Sequence, residues 1–287
     1  MKQSNYIVDN HMHLQRNGLY IEAVKQFHQA GGTHIVLVQH PNPGLVAEKK
    51  SYLPLFEETL KMADEVREKT SVGVFVVVGP YPVDLLIFTE NFGLSLVQAV
   101  DLMKQGMVEA AAICENKSVI GIGEIGRPHF EVSKEIWDAS NEVLSFGMTC
   151  AKEVDVPVIL HTEHTTSETC KEFVDMARSV GLSSRRVIKH FSPPLVLEEE
   201  NFSLMPSIIA REKNIIKALE KGSFRFLMET DYIDDLSHPG MVCGPKTVPK
   251  TTKKLIEKAV LSIEESQKIH VDCFEQTYGV CLDEGRE

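Results

Sequence analysis

The sequence predicts an α/β fold in which eight parallel strands close into a single-domain (β/α)8 barrel spanning residues 1–287. Three observations carry this expectation. Short β-branched runs alternate with longer amphipathic stretches, the signature of parallel βαβ units. The clearest strand, VGVFVVVG at residues 72–79, is apolar on both faces, as strands covered by helices on one side and a barrel interior on the other must be. Finally, His-Met-His ends the first strand, where an open doubly wound sheet, the competing architecture, usually carries a Gly-rich phosphate loop.

The elements follow in order. Residues 6–14 read as the first strand, and residues 19–30 as a helix closed by Gly31 and Gly32. Strands are expected at 33–39, 72–79, 119–125, 156–161 and 186–191, with helices at 54–69, 94–114, 133–154 and 168–180 between them. Ser133 is the expected N-cap of the long fourth helix, and Gly181 falls just past the end of the fifth. Beyond residue 200 the pattern thins. A strand at 203–209 follows a short acidic turn, Glu198 to Glu200; a helix at 210–220 and a strand at 224–230 complete the eight. From residue 250 the chain reads as terminal helices.

Composition limits the functional classes. The 41 acidic residues outnumber the 30 Lys and Arg, giving a formal net charge of -11. Long-range repulsion from phosphate backbones disfavours non-specific coating of nucleic acid, while a local metal site could still accept an anion. The six cysteines form no C-x-x-C pair, so reduced thiols are expected. The N-terminal stretch carries no apolar signal-like run, and no 18-residue apolar run exists; a cytoplasmic chain without membrane or obligate protein partners is the working expectation.

Chemistry is expected where barrel strands end. There the sequence delivers Asp9, His11 and His13 on strand one, Glu124 on strand four, His161 on strand five, His190 on strand six and Asp231 after strand eight. Residues i and i+2 of a strand share a side, so His11 and His13 both face the barrel mouth. Asp9 reads as strand support. A lone histidine is more often a satisfied core residue, and a lone carboxylate more often a solvated loop or a cap. Convergence from five strands outweighs that, because four imidazoles and two carboxylates buried together are costly without cations. The reading requires His11 and His13 to lie within about 10 Å of Asp231. His40 and His129 compete as substrate-facing donors, and His164 is a further candidate. Lys189 should point away from His190, which argues against a metal-bridging lysine.

The stretches D-N-H-M-H-L (9–14), G-I-G-E-I-G (121–126), P-V-I-L-H (157–161), K-H-F-S (189–192) and L-M-E-T-D (227–231) together resemble the TatD family of metal-dependent hydrolases, within the amidohydrolase superfamily. The order and spacing match along nearly the whole chain, and the ending with Pro249 and T-Y-G-V (277–280) is also similar. The resemblance implies a distorted TIM barrel holding two divalent ions, of Zn, Mn, Mg, Fe or Co. His11 and His13 would hold one ion, His161 and His190 the other. Glu124 would bridge both, and Asp231 would bind a metal and orient or deprotonate the attacking water. It implies phosphodiester hydrolysis of the deoxyribonuclease type. The chain departs from the family at the rim. Tyr81 stands where a histidine is usual, Glu163 where an arginine is, and Arg127-Pro128 where Leu-Asp is. Tyr81, Glu163, Arg127 and His40 are therefore the expected substrate-facing residues. A small ester, lactone or amide is the competing substrate, and a non-catalytic metal-binding barrel the competing class.

Overall fold

A computed structural model describes residues 6–286; residues 1–5, part of the N-terminal stretch discussed above, and residue 287 lie outside it. Nine parallel strands form one sheet: β1 (Val8–His13), β2 (His34–Val38), β3 (Gly73–Val78), β4 (Val119–Gly126), β5 (Val158–His161), β6 (Val187–Lys189), β7 (Met205–Ile209), β8 (Leu227–Glu229) and β9 (Tyr232–Ile233). Their order is β8-β7-β6-β5-β4-β3-β2-β1-β9. Only Thr230 and Asp231 separate β8 from β9, so one chain segment pairs first with β7 and then with β1. That two-sided pairing closes the sheet into a distorted TIM barrel and excludes the open sheet. The seam is reinforced where the Asp231 N–H donates to the His11 carbonyl at 3.0 Å.

Two apolar layers hold the barrel. Inside, Val36, Val38, Phe75, Val77, Ile159, Ile188 and Leu227 interlock, and Phe274, Tyr278 and Leu282 of the C-terminal segment pack against them. This segment plugs the end where strands begin, since the Gly285 carbonyl lies against Gly73 at the start of β3. Outside, helices bury one face each. The Lys134–Glu153 helix starts at Ser133, whose Oγ accepts the Ile136 N–H at 3.3 Å as expected for an N-cap. It then places Val143, Leu144, Met148 and Ala151 against the sheet. Each of the larger chains so buried contributes about 1.5–3 kcal/mol.

The differences from the expected elements have local causes. Helices at Pro43–Lys49 and Asp84–Glu90 replace expected loops; seven residues are too few to show a helical period, and the flanking Pro and Gly read as turns. Strand β7 begins at Met205 because Phe202 and Ser203 have φ of 53° and 72°. The acidic turn is a single helical turn, Glu198–Asn201. Terminal helices begin at Thr247. Among the described residues, no helix is long and apolar enough to cross a membrane.

Candidate metal centre

The strands carry their polar residues to the mouth by breaking register there. The β1–β2 pairing shifts between Asp9 and Met12, bracketing His11, and the β4–β5 pairing shifts between Gly123 and Ile125, at Glu124. Such irregularities re-aim a side chain out of the ladder. Gly126, with φ of 149°, permits the close approach that follows: a Cβ there would sit 2.0 Å from the His161 carbonyl oxygen. Asp231 also has a left-handed backbone, φ 48°, at the break between β8 and β9. Asp9 holds the seam from inside: its Oδ1 accepts the Thr230 and His11 N–H groups and its Oδ2 the Thr230 hydroxyl.

The structure brings the six expected ligands together. Glu124 is central: Oε1 lies 3.4 Å from His11 Nε2, 3.2 Å from His161 Nδ1 and 3.3 Å from His190 Nε2, and Oε2 lies 3.8 Å from His13 Nε2. The Nε2 atoms of His11 and His13 are 3.1 Å apart. Asp231 Oδ1 is 4.0 Å from His11 Nε2 and 3.8 Å from that of His13, while Oδ2 is 3.9 Å from His190 Nε2. Three candidate ligand triads emerge, His11–His13–Glu124, Glu124–His161–His190 and His11–His190–Glu229, the ligand atoms of each lying within 4.8 Å of one another.

Electrostatics suit this set to a cation. Burial, then the neighbouring imidazoles, push His11 and His13 below the ordinary histidine range, and His190 is likewise held well below it, chiefly by burial. Burial alone would raise Glu124, yet His161, His11 and His190 hold it well below the carboxylate range. Neutral imidazoles around an ionised carboxylate are the protonation states that ligate divalent metals. The donor chemistry also fits: His11 Nδ1 is buried without a hydrogen-bond partner, and the Nε2 atoms of His11 and His13 converge across the mouth. Mixed His and carboxylate donors suit Zn, Mn, Fe, Co or Mg. Burial, Glu124, Glu229 and Asp9 push the Asp231 carboxyl up to about 9, an excess of buried acidic charge that a divalent cation beside it would relieve, returning Asp231 to its ionised form.

A cavity of about 410 Å³ adjoins the cage, lined by His129, His161, Glu163, His164, Lys189, Phe191 and Asp231, among others. The expected rim residues divide. The Tyr81 hydroxyl lies 3.3 Å from His161 Nε2, which also meets His129 Nδ1 at 3.0 Å. His40 sits to the other side, its ring 5.9 Å from that of His13, lining a separate hollow of about 500 Å³. Arg127 corrects its expectation. Its side chain is fully enclosed, 4.3 Å beneath the Trp137 ring and 4.6 Å from that of Phe173, and it donates to Glu163, Glu172 and Asn141. It is therefore spent on other residues and does not face the cavity. Glu163 does line the cavity, with both carboxylate oxygens on Arg127, which it shares with Glu172, so its charge is offset only in part.

Lys189 is the second correction. It lines the same cavity as His190, because β6 ends at Lys189 and alternation stops where the chain turns. Burial lowers its ammonium to about 8. Glu229 was missed. Fully buried, it places Oε1 2.9 Å from His190 Nδ1, although that ring N–H is not aligned on it, and it accepts the Phe191 N–H and the Ser207 hydroxyl. Its signal was present: Glu229 stands two residues before Asp231, the same spacing that joins His11 to His13.

Comparison with known proteins agrees with this architecture. The family model described as TatD related DNase matches residues 8–279. An uncharacterised protein of Methanocaldococcus jannaschii is 37% identical over 281 residues, covering 96% of this chain and 97% of that protein. A TatD homologue of Escherichia coli superimposes with a TM-score of 0.65 at 15% identity, covering 96% of this chain and 99% of the other. The Escherichia coli phosphotriesterase homology protein, complexed with phosphate in its active site, does so at 0.62 and 13%, with coverage of 96% and 99%. Over nearly its whole length, then, this chain belongs to the TatD-related family.

Proposed function

We propose that this protein is a divalent-metal-dependent hydrolase of phosphodiesters, with two ions in the cage. One observation carries the reading: Glu124 touches imidazoles from three other strands while Asp231 faces both the cage and an open cavity. His11 and His13 would hold one ion, His161 and His190 the other, with Glu124 shared and Asp231 at the open side. Bound divalent cations supply Lewis acidity and acidify water. The chain's residues do the rest. Asp231, at the cavity wall, orients the attacking water, takes its proton and returns it to the leaving oxygen. Glu229 stands behind the His190 ring, 2.9 Å from its Nδ1, and supplies the buried negative charge that would orient the ring once a cation is bound. Tyr81 and His129 confine His161 at its Nε2, leaving Nδ1 toward Glu124.

A phosphodiester is favoured over a neutral ester or lactone. The neutral substrate is suggested by Glu163, Tyr81 and the net charge of -11, but both carboxylate oxygens of Glu163 are held by Arg127, which offsets part of the negative charge it presents to the cavity. The cavity admits a small or single-stranded substrate, and the net charge of -11 disfavours coating of long duplex. The test is to strip the protein with a chelator, reload it with Mn, Zn, Co or Mg, and assay a small phosphodiester and a short oligodeoxynucleotide beside esters, amides and lactones. Metal-restored phosphodiester cleavage is expected. Restored cleavage of neutral esters alone overturns the substrate assignment, and no restored hydrolysis of any kind overturns the enzyme.

A further inference from the structure

The rim of the cavity poses a charge problem. An anionic substrate group beside the cage needs a cationic donor from the protein, yet Arg127 is enclosed and bound to two glutamates, and Tyr81 is turned to His161. Lys189 meets the need. It lines the cavity with His161, His190 and Asp231 and is only 2% exposed. Among the described residues no carboxylate lies within 4.0 Å of its ammonium, and its one hydrogen bond goes to the His190 carbonyl. An ammonium has three donors. Two are therefore unspent, in a buried group with no ion-pair partner, at the wall of an open cavity. A buried charge of that kind is stabilised when a ligand completes it.

We infer that Lys189 binds the anionic oxygen of the substrate beside the metal cage, and so selects substrates that carry a negative charge next to the scissile bond. This rests on the phosphodiester reading above. The assignment moves the anion-binding cation to β6, onto the residue that immediately precedes a metal ligand. Phe191, on the other side of His190, is 51% exposed and forms the neighbouring wall. The pocket thus offers a cation for the acidic group and an apolar surface for what adjoins it.

The test uses metal-loaded protein and inorganic phosphate as the probe, with binding read by calorimetry. Lys189→Met and Lys189→Gln keep most of the side-chain length and remove the charge. Both are expected to retain bound metal and to weaken phosphate binding roughly tenfold or more, with a matching rise in KM for a phosphodiester. In the unaltered protein, phosphate should also shift the side-chain nitrogen resonance of Lys189, a measurement that does not depend on a variant folding. Unchanged phosphate affinity, or a resonance that does not move, overturns the inference. Loss of metal from folded variants also overturns it, since the lysine would then act through the cage. Failure of the unaltered protein to bind metal would instead strike the reading on which it rests.

Discussion

Glu229 Oε1 lies 2.9 Å from Nδ1 of His190, the ring whose Nε2 is 3.3 Å from Glu124. The contact is one end of a buried polar line. Glu229 accepts the Ser207 hydroxyl; Ser207 accepts the Asn10 amide at 3.0 Å; Asn10 accepts the Tyr278 hydroxyl at 2.9 Å. A residue of the C-terminal plug is thereby joined through the barrel interior to Glu229, which abuts the His190 ring. Carboxylates behind ligating histidines fix ring orientation, and removing them typically weakens metal affinity about 10–100-fold. Glu229→Gln is expected to fall in that range, measured by competition against a chelating dye, with the far-UV spectrum unchanged. Affinity equal to the parent would show that His190 is held by packing alone.

Asp231 separates a catalytic cage from a merely structural one. It stands 3.8 Å from His13 and 3.9 Å from His190 and lines the cavity. Asp231→Asn keeps the shape and removes the proton acceptor. Turnover is expected to drop by roughly 10²–10⁴ with metal content largely retained. An undiminished rate on the substrate found by the metal panel would assign the cage to stability instead.

Most of the barrel and the cage could be read from residue order. The strand-end histidines and Glu124 were legible because β-strand alternation and barrel topology place strand ends without side-chain detail. What escaped depended on three-dimensional pairing. Arg127 looked like a substrate donor because its partners, Glu163 and Glu172, come from 36 and 45 residues away. Lys189 was placed on the wrong side because alternation was extended one residue past the end of β6. The break between β8 and β9 at Asp231 was invisible, since no sequence rule marks an aspartate with φ of 48°.

Asp9 ties the first strand to the last, and its loss should be felt as stability. Its carboxylate serves the N–H of His11, the N–H of Thr230 and the hydroxyl of Thr230, all buried. Asp9→Ala leaves the two N–H groups without partners, at about 1–3 kcal/mol for each before relaxation, and leaves the Thr230 hydroxyl only the His11 carbonyl at 3.4 Å. A loss of about 3 kcal/mol or more is expected in urea unfolding of the chelated protein. A loss under about 1 kcal/mol would mean that backbone pairing of β9 with β1 closes the barrel unaided.

His270 predicts how stability depends on pH. The ring is buried, its Nδ1 accepting the Val8 N–H at 3.2 Å and its Nε2 meeting the Thr252 hydroxyl oxygen at 3.0 Å. Because Thr252 spends its own proton on the Val248 carbonyl, Nε2 carries the ring hydrogen and Nδ1 must stay bare. Protonation would set a second N–H against that of Val8, and burial lowers the ring from 6.5 to about 4. The unfolded chain therefore binds the proton more readily than the folded one. Stability from this group is complete above pH 6.5, declines as pH falls below that value, and is exhausted near pH 4. Between pH 8 and pH 5 the contribution amounts to about 2 kcal/mol. His270→Gln, which keeps an acceptor for Val8, should be less stable than the parent at pH 8. It should lose about 2 kcal/mol less on going to pH 5. Unfolding titrations of both chelated proteins at the two pH values measure that difference directly, and parallel losses would assign the acid sensitivity to other groups, such as His34.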